Sequence, residues 1–126
     1  MTAPIGLVDL ETLVSHVSAR SLLALPSNVS TEFSGISMVA TRALIRKNVK
    51  GLHLVAVQST GLQSDLLIGA GCVDSLQTGS ILLYEYGRAN RFFEAQKAGT
   101  LSPDSPIRTS PLRSLLLRSL LLRSLL

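Results

Sequence analysis

The residues best suited to contact a ligand are the small polar residues and glycines of 59–71. Residues 59–64 (Ser-Thr-Gly-Leu-Gln-Ser) offer hydroxyl and amide groups, and Gly69-Ala70-Gly71 lets the backbone turn tightly or approach a ligand closely. These stretches follow two short apolar runs, Leu52–Val57 and Leu66–Ile68. Because ligands of open α/β sheets bind beyond the carboxyl ends of the strands, both stretches are predicted to lie at one ligand-binding edge.

Side chains that could make or break bonds are sparse. Glu32 stands alone in the polar loop 26–35, and Glu85 lies between two tyrosines, so both are predicted to be solvated or edge-facing glutamates. His16 is interpreted as a partly exposed helix residue and Cys72 as a small buried side chain. No residue is therefore assigned a catalytic role from its type and spacing.

The sequence motifs that would indicate phosphate, metal or dinucleotide chemistry do not occur. The chain has no GxxxxGK[ST] loop, no His/Cys cluster at metal-ligand spacing and no GxSxG elbow. Gly69-Ala-Gly71 is not followed by the third glycine of a dinucleotide fingerprint. The basic residues Arg46, Lys47 and Lys50 favour a solvated helix end, with phosphate binding as the weaker alternative.

The elements that must position these residues are read from hydrophobic spacing. Apolar residues at helical spacing predict helices at 8–18, 36–47 and 90–98, and short apolar runs predict strands at 21–25, 52–57, 66–69 and 80–86. Residues 74–79 are interpreted as a turn-rich connection. This alternation predicts an α/β domain with a largely parallel sheet.

Length and composition indicate a single domain with an aliphatic core. The chain has 126 residues, of which 46% are hydrophobic and 4% aromatic, and its single cysteine suits a reducing, cytoplasmic compartment. The net charge of +4 gives little support for nucleic-acid binding, because four Arg and one Asp fall in residues 101–126. No signal peptide is recognised, and no membrane span is predicted, because Arg113, Arg118 and Arg123 interrupt the longest apolar stretch.

The end of the chain differs in character from the rest. Residues 102–111 are rich in Pro and Ser and are predicted to form a linker. Residues 112–126 repeat Leu-Arg-Ser-Leu-Leu three times. A period of five does not match the 3.6-residue turn of a helix, so the repeat is interpreted as a low-complexity addition and not as an amphipathic membrane helix.

Four blocks in order carry a family resemblance: 37–46, 49–55, 61–73, and 85–92 with its continuation at 98–100. Together they resemble the α subunit of family I CoA-transferases, particularly the glutaconate CoA-transferase-like branch, over residues 8–101. The resemblance implies a three-layer α/β/α fold with a mainly parallel sheet. Family α subunits continue with further strands beyond the position of Thr100, so residues 1–101 are expected to form a partial domain, incomplete at its C-terminal side.

The resemblance also implies a function. Such enzymes move CoA between an acyl-CoA and a carboxylic acid, with CoA as substrate and no permanently bound cofactor. The nucleophilic glutamate belongs to a partner β subunit, in a Ser-Glu-Asn-Gly setting that this chain lacks. The residues expected to contact acyl-CoA are Ser27, Asn28, Gly35, Gly61, Gly69 and Gly71.

The sequence departs from the family pattern in two segments that hold three of these residues, and it leaves other functions open. Pro26-Ser27-Asn28 stands where the family commonly has Gly-Gly-Phe, and Gly35-Ile36-Ser37 stands for Gly-x-Pro. The alternative is a non-catalytic or decayed fragment that acts only in subunit association. A sugar-phosphate isomerase of similar architecture is less favoured, because the expected cluster of an acid and a base is missing from the sequence.

Overall fold

The computed structural model describes residues 6–26, 36–56 and 59–101, with Glu85 described by its backbone alone. The elements in chain order are α1 (Leu10–Ser15), β1 (Leu22–Leu25), α2 (Met38–Arg46), β2 (Leu52–Ala56), β3 (Ser59–Thr60), α3 (Leu62–Gly69), β4 (Val73–Gln77), β5 (Ser80–Ile81), a 3-10 turn (Tyr84–Tyr86) and α4 (Asn90–Ala98). Helix α2 therefore connects β1 to β2, and α3 connects β3 to β4, in the alternation that the sequence predicts for an α/β domain.

All strand pairs among the described residues are parallel. The main sheet has the order β1-β2-β4, and β3 pairs with β5 in the same direction. Because β3 follows β2 and β5 follows β4 along the chain, the β3–β5 pair lies beyond the carboxyl ends of β2 and β4. The predicted α/β class with a mainly parallel sheet is confirmed.

The two faces of the sheet differ in burial. Leu52, Leu54 and Ala56 of β2 are fully buried, and Leu54 pairs with Leu23 of β1 and Leu76 of β4. The alternate residues form an opposite face that the described residues leave partly open, with Leu22 70% exposed and Ala24 and Gln77 also exposed. Each strand therefore directs one set of side chains into the core and the other away from it.

The helices form a layer on the buried face. The connection through α2 leads from β1 to β2, and the connection through α3 leads on to β4, so both move across the sheet in the same direction. Because connections between parallel strands are right-handed, two that move in the same direction place their helices on the same face of the sheet. Helix α1 contacts α2, α2 contacts α3, and α3 contacts α4. This arrangement is consistent with a partial three-layer α/β/α domain, of which the described residues supply the sheet and one helical layer.

The core lies between this layer and the sheet and is aliphatic apart from one ring. Helices α1, α2 and α3 contribute Val14, Leu44, Leu67 and Ile68, and α4 contributes Phe92, which is 3% exposed. Burial of these side chains beside Leu52 and Leu54 supplies the main stabilising term, at about 1.5–3 kcal/mol for each large aliphatic residue.

Two segment predictions are wrong. Residues 66–69, predicted to be a strand, are the C-terminal half of α3, and residues 73–77, mostly assigned to a turn-rich connection, form β4. The predicted strand 80–86 is reduced to β5, followed by the 3-10 turn. The predicted elements 8–18, 21–25, 36–47, 52–57 and 90–98 are confirmed within the described residues, although α1 is shorter than predicted and Val57 lies outside those residues.

The longest helices of the described ranges, α2 and α4, have nine residues each. A helix needs roughly 20 apolar residues to cross a bilayer. Within these ranges, therefore, no helix is suited to span a membrane. The predicted linker 102–111 and repeat 112–126 lie outside the described residues.

Candidate carboxyl-edge site

Buried polar side chains gather where the strands end and the helices α2 and α3 begin. Ser59, Thr60, Gln63, Ser64 and Thr78 are each less than 8% exposed. The hydroxyls of Thr60 and Ser64 share a hydrogen bond of 2.6 Å, and the Thr78 hydroxyl donates to the Ser80 carbonyl at 3.0 Å. We refer to this region, at the end of β3 and β5, as the carboxyl edge.

Gln63 connects the first turns of α2 and α3 at this edge. Its amide Nε2 donates to the Thr41 hydroxyl at 2.8 Å and to the Ser37 carbonyl at 3.2 Å. The Thr41 hydroxyl in turn donates to the Ser37 carbonyl at 2.8 Å. This network fixes the separation of the two helix N-termini, because Thr41 and Gln63 are buried and their polar groups are satisfied by one another and by the Ser37 carbonyl.

An apolar cavity opens beside this network. It has a volume of about 380 Å³ and is lined by Met38, Leu62, Leu83 and Tyr86. Met38 and Leu62 are the first helical residues of α2 and α3, and Leu83 and Tyr86 come from the segment after β5. We refer to this space as the edge cavity.

Gly61 lies at the carboxyl edge, as predicted. It is the residue between β3 and α3 and is buried. Three further predicted contacts precede α2 and lie outside the described residues: Ser27, Asn28 and Gly35. Glu32 and the side chain of Glu85 also lie outside them. Of the six predicted acyl-CoA contacts, Gly61 is therefore the one that the structure places at this edge.

Gly69 and Gly71 lie at the opposite edge of the sheet, so the prediction that both glycine stretches share one edge is wrong. The cause is that 66–69 is helical, which brings the chain back to the amino end of β4. Gly71 has a φ of +67° at the turn into β4, a conformation that glycine adopts without strain. A Cβ on Gly69 would lie 2.2 Å from Arg91 Cδ, so this glycine makes room for the Arg91 side chain.

The Arg91 side chain reaches along α3 to a buried carboxylate. Arg91 Nη1 lies 2.9 Å from Asp65 Oδ2, and Asp65 Oδ1 accepts a hydrogen bond from the Phe92 N–H at 3.0 Å. Asp65 is 1% exposed. Its carboxylate thus satisfies one of the free N–H groups in the first turn of α4 and is committed to fixing α4 on α3.

The basic residues at the amino edge bind helix C-termini. Lys47 Nζ donates to the carbonyls of Val14 and Val17, and Lys50 Nζ donates to those of Ala70 and Gly71, at distances of 3.0–3.4 Å. Cations at these positions satisfy free carbonyls and suit the helix dipole. These contacts give both lysines a structural role beside α1 and α3.

Cys72 is fully buried at the amino edge, which confirms its interpretation as a small core side chain. Burial raises the pKa of its thiol, and the nearby Lys50 ammonium offsets part of that effect. A thiol of this kind is a poor nucleophile near neutral pH.

The described part of the carboxyl edge carries hydrogen-bonding side chains but no unpaired carboxylate. Its buried polar side chains are hydroxyls and one amide, and Asp65 in α3 is paired with Arg91. No group of three or more His, Cys, Asp or Glu side chains able to hold a metal occurs within 6–26, 36–56 and 59–101. The roles of Thr41 and Gln63 were not predicted from the sequence, because their contact joins residues 22 positions apart.

No family model matches the chain. No curated protein matches it either.

Proposed function

We propose that the chain is an N-terminal part of a family I CoA-transferase α subunit, which presents an acyl-CoA to a glutamate supplied by a partner β subunit. The substrates are an acyl-CoA and a free carboxylic acid, and CoA passes from one to the other. The roles of this chain are positioning and exclusion of water, and bond making belongs to the partner.

The observation that carries this proposal is the composition of the carboxyl edge. Buried hydroxyls and the Gln63 amide lie there, next in sequence to residues that line an apolar cavity, and Asp65, a buried carboxylate of α3, is paired with Arg91. A site whose described residues offer hydrogen-bonding groups and no unpaired carboxylate fits one half of an active centre that a second chain completes.

The placement of the resembling blocks supports the same proposal. Block 49–55 supplies β2, block 61–73 supplies α3 and the turn into β4, and block 85–92 leads into α4. The ion pair between Asp65 and Arg91 joins block 61–73 to block 85–92. Segments that are separate in the sequence resemblance are thus in direct contact in the fold.

The proposed reaction needs no further reactant. The partner glutamate attacks the thioester carbonyl, which releases CoA thiolate and forms an acyl-glutamyl anhydride. The thiolate then attacks the glutamyl carbonyl and releases the first carboxylate, leaving a glutamyl-CoA thioester. A second carboxylate reverses both steps and leaves as the new acyl-CoA.

The test is co-expression with the product of a neighbouring reading frame that carries Ser-Glu-Asn-Gly, followed by an assay of CoA transfer from acetyl-CoA to carboxylic acids. We expect transfer by the complex and none by either chain alone, with activity lost when the partner glutamate is changed to Gln. A complex that forms but transfers no CoA would instead support the alternative, a fragment that acts in subunit association.

A further inference from the structure

We draw no further inference here: the strongest candidate, the partly open face of the sheet that holds Leu22, His53 and Ser75, carries none, because nothing in the described residues shows what covers it.

Discussion

Asp65 and Arg91 form the contact that determines how α4 lies on α3. Arg91 Nη1 is 2.9 Å from Asp65 Oδ2, while Asp65 Oδ1 accepts the Phe92 N–H at 3.0 Å. One carboxylate thereby holds both a side chain and the first turn of the neighbouring helix. The side chain of Asp65 is 1% exposed and that of Arg91 is 51% exposed. Water can therefore solvate the guanidinium of Arg91 without this contact, whereas the carboxylate of Asp65 needs its protein partners.

Replacement of Asp65 should therefore destabilise the domain. Asp65→Ala leaves the Phe92 N–H without its acceptor and Arg91 without its partner, and we expect a loss of about 2–3 kcal/mol in the free energy of unfolding. Asp65→Asn keeps an oxygen that can accept the N–H and should lose about half as much. Urea denaturation followed by circular dichroism measures both values.

Glu94→Gln is the control for this pair of variants, because Glu94 is an exposed carboxylate of α4. Its effect should stay within about 0.5 kcal/mol of the wild type, as for most surface substitutions. An Asp65→Ala variant as stable as Glu94→Gln would show that the contact does not hold α4 in place.

Gly69 should be coupled to Arg91. Alanine is a better helix former than glycine by about 1 kcal/mol, but a Cβ at Gly69 would lie 2.2 Å from Arg91 Cδ. We expect Gly69→Ala to destabilise the wild type by about 1–2 kcal/mol, because Arg91 must leave Asp65 to make room.

The double-mutant cycle with Arg91→Ala separates this effect from helix propensity. In the Arg91→Ala background only the Cβ at 3.1 Å remains near position 69, so the same Gly69→Ala change should cost much less than in the wild type, which gives a coupling energy of about 1 kcal/mol. Additive effects of the two substitutions, measured by urea denaturation, would mean that Gly69 is not required by the Arg91 side chain.

Segments with a clear period or a long apolar run were predicted well from the sequence. The spacing of apolar residues identified α2, and the uninterrupted run from Leu54 to Ala56 identified the central strand. Helix α3 was misread because it is buried on nearly every side, including Gln63, Ser64 and Asp65. Without an exposed face, Leu66–Ile68 has no helical period and is indistinguishable from a buried strand.

Strand β4 was missed because of a register shift. Leu52 pairs with Val73, but His53 pairs with Ser75, so an irregularity at Asp74 places the buried residues Val73 and Leu76 three positions apart. That spacing hides the alternation of a strand. The misreading of residues 66–69 as a strand moved Gly69 and Gly71 to the wrong edge, whereas Gly61, which follows β3, was placed correctly.

Cys72 should react slowly in the folded chain. Burial raises the pKa of its thiol, with a smaller opposing effect from Lys50, so little thiolate is present at pH 8. Iodoacetamide labelling followed by mass spectrometry should be slow in buffer and fast in urea. Rapid labelling of the folded chain would contradict the buried position.

The raised thiol pKa also sets a pH dependence. Above the ordinary thiol value of 9.0 the unfolded chain releases its proton before the folded chain does, so the thiol's contribution to stability falls as the pH rises. The difference in unfolding free energy between the wild type and Cys72→Ala should therefore be constant from pH 6 to 8 and decrease from about pH 9 upward. An increase of this difference above about pH 9 would contradict a buried neutral thiol, because it would mean that the folded chain releases the thiol proton more readily than the unfolded chain.

The difference in burial between the two faces of the sheet allows a test of the strand register. Leu54 is fully buried between β1 and β4, whereas Leu22, on the opposite face, is 70% exposed. Leu54→Ala should lower the free energy of unfolding by about 2–5 kcal/mol through lost contacts and a cavity. Leu22→Ala should lower it by less than about 0.5 kcal/mol, because few contacts are lost.

The comparison is informative because a one-residue slip of β1 or β2 would exchange the two faces of that strand. Leu23, which is next to Leu22 and pairs with Leu54, is the matched position on the buried face. Leu23→Ala should fall between the other two variants, in keeping with its partial burial. If Leu22→Ala proves as damaging as Leu54→Ala in urea denaturation, a further layer covers the opposite face, and the sheet is buried on both sides as in complete parallel α/β domains.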